Sequence, residues 1–506
     1  MIESNVLTVH NAIQADIGDI PVVDNHTFRD TVIDAVSAGS RILSLFACPV
    51  KQTMRLFAVL GHGRTSRVYI VSSVVGDAYP SLTPDCQQAE RFEREIAEQW
   101  SIRPEGHPWL KPIRFHRSYG SAPNIWGHLP GDWILPGVIE GIKVESDETH
   151  EVAVGPVHAG IIEPGHFRFQ CHGEHIYHME ICLGYQHRGI EQALTGGPDS
   201  RTISFMETLA GDTSIGHTTA GCQVMEALSD TRVPARAHAI RGIALELERI
   251  ANHTGDLGAL AGDVGYLPTA AYCGRLRGDF LNLTAAICGN RFGRGLVRPG
   301  GVAVDLAHDT GIQMIERIER TFNQVKSATG LLWETPSVLA RFEETGKITR
   351  NMCLDLGLVG PAARACGVEL DARFEFPSGV YRMAHIPVAT CHTGDVFARA
   401  YIRWLEIQRS VSFIKEQLRT LPKGSIRIET GQLFPNSIAV SVVEGWRGEI
   451  CHVALTDRHG RFLRYKVVDP SFHNWMGLQM AMRNQQISDF PICNKSFNLS
   501  YCGHDL

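Results

Sequence analysis

No two of the thirteen cysteines in this chain form a CxxC pair; they stand at 48, 86, 171, 182, 222, 273, 288, 353, 366, 391, 451, 493 and 502. That spacing argues against a zinc ribbon or an iron–sulfur cluster held by this chain alone. It leaves most of the thiols as small buried hydrophobes rather than disulfides. Long apolar runs are also missing: no window reaches the roughly 18–20 uninterrupted apolar residues of a membrane span. The start, Met1-Ile-Glu-Ser-Asn5, has neither the basic head nor the apolar core of a signal peptide. Positive charge is in short supply, with 48 Lys and Arg against 54 Asp and Glu for a net charge of −6. That balance is wrong for a nucleic-acid binder. There is no GxGxxG after a strand and no P-loop lysine, so nothing points to nucleotide binding by this chain. These absences predict a cytoplasmic protein that reaches the membrane only through partners.

What is present is an ordinary globular composition, 44% hydrophobic and 20% charged over 506 residues, long enough for two or three domains. Residues 1–118 read as a small α/β unit. Residues 33–46 and 56–75 alternate enough for strands and a helix, with a turn at Gly61-His-Gly63. After the Pro-bounded loop Tyr79-Pro-Ser-Leu-Thr-Pro84, Ala89, Phe92, Ile96 and Trp100 fall at helical spacing within residues 86–100, and Arg103-Pro-Glu-Gly-His-Pro108 ends that helix. Residues 119–150 read as a linker. Residues 151–506 form the larger domain, which opens on a β-hairpin over residues 161–180 with its turn at Gly173. It continues as amphipathic helices over residues 236–260, 316–332 and 396–421. In the first, Ile240, Ile243, Ala244, Leu247, Ile250 and Ala251 make the apolar stripe, and Arg241, Glu246 and Glu248 lie off it. Strands return at residues 437–443, 449–455 and 464–468. The fold class is α+β: a small α/β domain, then a mostly helical domain with peripheral hairpins. The run Cys171-His172-Gly-Glu174-His175-Ile-Tyr-His178 spans the hairpin turn, so its side chains diverge and it reads as a polar turn, not a metal site.

Several segments resemble known families. The Tyr79 loop with Glu93-Arg-Glu95 and Gly106-His-Pro-Trp-Leu110 are similar to the 30-kDa-type subunit of respiratory complex I, a docking piece without a cofactor. The larger domain resembles the 49-kDa-type subunit of complex I and the large subunit of energy-converting, group 4 (formate hydrogenlyase and hydrogenase-4 type) nickel–iron hydrogenases. The matching segments are Gly155-Pro-Val-His158, Pro164-Gly-His-Phe-Arg-Phe169, His187-Arg-Gly-Ile-Glu191, His217 and Val233-Pro-Ala-Arg-Ala237. Glu246-Leu-Glu-Arg249 with His253, Arg298-Pro-Gly-Gly301, Gly445-Trp-Arg447-Gly-Glu-Ile450 and Asp469-Pro-Ser471 complete the set. The order holds over nearly the whole chain, with the two subunit types fused.

In the hydrogenases the resemblance places CxxC and DPCxxC motifs where this chain has Ala210, Thr213, Ser471 and Asn474. A nickel–iron centre needs four soft thiolates, and these four residues supply none, nor does Cys222, Cys493 or Cys502 recreate a CxxC. The chain is therefore not expected to be a functional hydrogenase, and no metal or cofactor is expected on it. The same resemblance makes Glu191 and Arg188 a proton-relay element. It places Arg447 above the vacated site, where it would neutralise Glu191 or Asp469. Glu191, Arg188, His217, Asp212 and Arg447 are thus the candidate polar, proton-transferring cluster. His158 matches a complex I histidine of the quinone site, but its partner tyrosine falls near Leu209, which has no hydroxyl.

The resemblance implies a peripheral-arm subunit of a membrane-bound, complex I-like oxidoreductase, coupling electron transfer or conformational change to ion transport. Its partners would be a small iron–sulfur subunit and antiporter-like and other membrane-arm subunits. NADH and flavin would belong to other subunits. The alternatives are quinone reduction near His158 in an NADH dehydrogenase, and a non-catalytic scaffold.

Overall fold

The alternating stretch at residues 41–75 forms three long antiparallel strands, Arg41–Val50, Thr53–His62 and Arg67–Val75. They belong to a sheet that also takes Leu7–Val9 and Val22–Val23. The computed structural model describes residues 4–121, 123–129, 131–137, 141–144, 148–158 and 162–506. The turn between the last two long strands is at Gly63–Thr65, with Gly61 and His62 still in the strand. The helix of this unit precedes the strands, at Asn25–Ser37, where Asp24 accepts hydrogen bonds from the His26 and Thr27 amides as its N-cap. The next helix, Glu90–Trp100, begins after a short 3-10 turn and ends at a left-handed Ser101. Its Glu93, fully buried, accepts from the Ser81 and Thr83 hydroxyls and from the Leu82 and Thr83 amides. That carboxylate holds the Tyr79 loop. Beyond the helix, Arg103–Glu105 pairs in parallel with Ala78–Pro80.

The hairpin forms from His166–His172 and His175–Cys182, turning at Gly173. A third strand, Thr149–Val154, pairs with it. Its first two residues fall in the expected linker, whose polar run hides them. The helical part centres on the 29-residue helix Ala235–Asp263, which packs against Leu267–Cys288 and Val396–Arg419. This central helix departs from the expected amphipathic pattern, because Arg241, Glu246 and Glu248 are buried along with the apolar stripe. A helix enclosed on all sides keeps such residues only if each finds a partner. Ten cysteines are buried, three are intermediate and all are free.

One sheet organises the rest. Ser437–Gly445, Gly448–Thr456 and Phe462–Val468 form an antiparallel meander, and Gln14–Asp16 joins its edge. Side chains alternate across a strand. Ile438, Val440, Val442, Cys451, Val453 and Leu455 enter one core with Phe28, Phe46, Phe57 and Phe92. Ala439, Val443, Ile450, Ala454, Tyr465 and Val467 enter the other, with the helices. Both faces are buried, so residues 1–118 and the helical part share this sheet. At Arg298-Pro-Gly-Gly301 the expected tight turn is present, and an added Cβ at Gly300 or Gly301 would lie 2.1 Å from a backbone oxygen.

Phe472, just past the sheet, packs on Phe92 with ring centroids 5.0 Å apart and stacks on His504. Phe472→Ala is expected to cost about 3–5 kcal/mol, read as a lower urea midpoint of one transition covering both halves. A shift below about 1 kcal/mol would contradict a shared core.

Candidate functional site

Both motif segments open helices, but only Asp469 caps one with its side chain. Asp469 accepts the Ser471 amide as N-cap of Pro470–Ala481, and Ala210-Gly-Asp-Thr213 leads into Ser214–Leu228. Ala210 is fully buried and apolar. The Thr213 hydroxyl accepts from Trp446 Nε1 at 3.1 Å and Arg447 Nη1 at 3.2 Å and donates to Asp212. Ser471 Oγ accepts the Ser500 amide at 2.8 Å. Asn474 pairs with both the N–H and the C=O of Val359, at 3.0 and 3.1 Å. The polar atoms at these positions are thus used within the protein.

The five candidate polar residues separate into four places. Asp212 and Arg447 form a bidentate pair at 2.6 and 2.8 Å, and Arg447 also donates to the Asn498 carbonyl. Arg447 therefore pairs directly with Asp212 rather than Glu191, and acts on Asp469 through its charge alone. His217 Nε2 lies 3.0 Å from Asp469 Oδ2, its Nδ1 lies 3.1 Å from His452 Nε2, and His452 Nδ1 lies 3.0 Å from Tyr465 Oη. Burial pushes Asp469 up, but the bond and charge of His217, with Arg447, hold it below its ordinary value. Burial, reinforced by His217, pushes His452 well below its ordinary value.

Glu191 lies elsewhere, fully buried at the edge of the sheet. It accepts from Lys466 Nζ at 2.9 Å, Arg464 Nη2 at 2.9 Å and the Val467 amide at 3.0 Å. Lys466 also bonds Glu95 at 2.6 Å, and Glu95 pairs with Arg114. Burial alone would raise the Glu191 carboxyl, but Lys466, Arg464 and Arg114 outweigh it and hold the group far below the usual carboxylate range. Arg188 is exposed and donates to the Thr208 and Leu209 carbonyls at 2.9 and 3.2 Å. The Arg188–Glu191 association expected from the HRGIE run is therefore replaced by Lys466–Glu191–Arg464. The sequence signal for it was period-2 placement: Arg464 and Lys466 lie on the sheet face that meets the Glu90–Trp100 helix.

A further carboxyl belongs beside Asp212. Glu248 accepts the Ile215 and Gly216 amides at the N-terminus of Ser214–Leu228, at 2.8 and 3.2 Å. Burial raises it to about 8 against those hydrogen bonds. His158 Nε2 lies 3.0 Å from the Gly165 carbonyl; residues 159–161, which follow it, lie outside the described residues. Leu209 is fully buried. Among the described residues no group of three or more His, Cys, Asp or Glu is placed to hold a metal, the hairpin run included. No helix is long and apolar enough to cross a membrane among the described residues.

Lys466→Met leaves two buried carboxylates competing for the remaining cations and is expected to cost about 3–5 kcal/mol in urea unfolding. Because the folded Glu191 value lies below its ordinary 4.5, its stabilisation is present above about pH 4.5 and fades as pH falls below it. Glu191→Gln is expected to flatten the acid limb of stability against pH. An unchanged limb would show that Glu191 is not the group held low.

The family model described as "Respiratory-chain NADH dehydrogenase, 49 Kd subunit" matches residues 263–437 and 428–505. The carbon monoxide-induced hydrogenase of Rhodospirillum rubrum is 31% identical over 351 residues, 69% of this chain and 97% of that protein. Formate hydrogenlyase subunit 5 of Escherichia coli is 26% identical over 475 residues, 88% of this chain and 81% of that one. NADH-quinone oxidoreductase subunit 4 of Thermus thermophilus is 28% identical over 377 residues, 69% of this chain and 92% of that one. These relatives are subunits of hydrogenase-related and complex I-like oxidoreductases. The chain belongs to the family that holds the 49-kDa subunit of respiratory-chain NADH dehydrogenase and these related hydrogenase subunits.

Proposed function

We propose that this chain is the peripheral-arm, large-subunit component of a membrane-bound, hydrogenase-related and complex I-like complex, and that it holds no nickel–iron centre. The observation that carries this reading is the fate of the four thiolate positions. Ala210 offers no donor, and Thr213, Ser471 and Asn474 offer hard or neutral groups already bonded within the protein. A nickel–iron group requires thiolates, so the residues present do not fit it. The frame around them is kept: Asp469 still caps its helix and His217 still meets it. That supports a retained place in an assembly rather than a retained reaction at a metal.

In this reading the chain docks on a small iron–sulfur subunit and, with it, on antiporter-like membrane subunits, and couples electron transfer or conformational change to ion transport. Glu191 acts as a fixed anion that locks the Glu90–Trp100 helix to the sheet. Proton movement falls to groups whose environments leave them able to titrate. The quinone alternative gains no support, because His158 is bonded to the Gly165 carbonyl and Leu209 supplies no hydroxyl.

Elemental analysis of the purified complex is expected to find no stoichiometric nickel, with ion transport retained. Stoichiometric nickel would overturn the reading. Asn474→Cys removes both bonds to Val359 without restoring a ligand set, and is expected to cost about 1–3 kcal/mol in urea unfolding with no gain of bound nickel.

A further inference from the structure

The helical core contains an ionic cluster that includes none of Ala210, Thr213, Ser471 and Asn474. Arg249 bonds Glu246 at 3.0 Å, and Arg373 bonds both Glu246 and Asp371. Arg364 reaches Glu444 at 2.8 Å and Glu406 at 2.7 Å, and His253 Nε2 lies 2.8 Å from Glu406. Every member is buried. The cluster thus has four carboxylates, Glu246, Asp371, Glu406 and Glu444, but three guanidiniums. Of the other nearby cations, Arg403 pairs with Asp256 and Arg241 with Glu226, and the half-buried Arg409 bonds the Pro387 carbonyl and acts on Glu406 and Asp371 only through its charge, with no direct ion pair. A buried cluster one positive charge short is costly, and a bound proton removes the deficit.

Two groups compete for that proton. His253 faces Glu406, Arg249 and Arg403, and its Nδ1 is buried without a hydrogen-bond partner among the described residues. An imidazolium there would bury an unsatisfied N–H. Glu444 faces Arg364, Asp371, Arg249 and Arg373 and accepts the Ala372 amide. It also lines a recess of about 20 Å³, shared with Thr219, Ser378, Tyr381 and His238. That is room for one water by the usual measure of roughly 10–15 Å³. Thr219 Oγ1 in this recess is buried and lacks a partner among the described residues. The recess shares Gln223, His238, Ser378 and Gly379 with an open groove of about 870 Å³ that reaches Ala12, Ile13 and Gln14.

We infer that Glu444 is a buried proton-binding site, loaded from solvent through the groove and the water-sized recess beside Thr219. A hydronium gives its proton to the Glu444 carboxylate and leaves as water, and the new O–H faces the recess. Burial raises the Glu444 carboxyl to about 7 despite Arg364, which agrees with this placement. Use of the proton in ion transport rests on the function proposed above; its presence does not.

The test is an infrared pH titration of the purified complex, following the carbonyl band of protonated carboxyls. Glu98 and Glu248, raised to about 7 and about 8, supply carboxyl bands that every variant shares. The expected result is therefore a further band titrating near about 7 that appears only in the difference between wild type and Glu444→Gln and is shifted in position and midpoint by Thr219→Val, which keeps every charge. Because the folded value lies above the ordinary 4.5, the wild type should also lose stability as pH rises through about 7, and Glu444→Gln should remove that slope. Carboxyl bands that titrate identically in the wild type and Glu444→Gln overturn the inference. If Glu444→Gln does not assemble, a band unmoved by Thr219→Val overturns it. Nickel in the complex would sink the proposed function and leave this titration standing.

Discussion

The structure depends on a sheet with water on neither face. Strands Ser437–Gly445 and Gly448–Thr456 are buried along their whole length, so each polar residue in them must be satisfied inside the protein. On the face toward the N-terminal unit, Glu449 is met by Arg41, and on Phe462–Val468 Arg464 and Lys466 are met by Glu191 and Glu95. On the helical face, His452 meets His217 and Ser441 meets Gln223, while Glu444, paired across the ladder with Glu449, meets Arg364. Two hydrophobic cores are joined through these pairs. The placement of nearly every candidate functional residue follows from which side of the sheet it faces.

That constraint also divides what the sequence made legible from what it did not. Strand alternation at residues 437–468, the hairpin at Gly173 and the helix holding Phe92, Ile96 and Trp100 are local patterns, and they were readable. So was the family, since its motifs are contiguous. The grouping of charges was not. His187-Arg-Gly-Ile-Glu191 puts an arginine three residues from Glu191, yet the cations that bind it lie more than 270 residues away. A turn at Gly189 in the left-handed region directs Arg188 outward and Glu191 inward. Likewise, the polar residues of the central helix looked like a solvated face because nothing local reveals that Arg364, Arg373 and Glu406 enclose it.

In the function proposed above, the four positions Ala210, Thr213, Ser471 and Asn474 belong to a frame that outlives its chemistry. Each polar replacement bonds a backbone group or a neighbouring side chain: Ser471 the Ser500 amide, Asn474 the Val359 peptide, and Thr213 the Trp446 and Arg447 donors. Those bonds now stabilise the junction between the motif helices and the sheet. A cysteine at Thr213, Ser471 or Asn474 would remove a structural bond, and a ligand set of the proposed kind would need thiolates at all four positions. Fold and reaction are separable in general, and under the proposed function the separation has a local cause.

Electrostatics then sorts the buried carboxyls by what they can do. A group that moves protons near neutrality needs a value near the ambient pH. Glu191 has cations on several sides and stays ionised. Asp212 and Asp469 are each held low by a dedicated cationic or hydrogen-bonding partner. Glu248 and Glu444, raised to about 8 and about 7, are different. One sits on two backbone amides, and the other belongs to a cluster short of one cation. Incomplete neutralisation is what raises a buried carboxyl toward the range in which it can take up and release a proton.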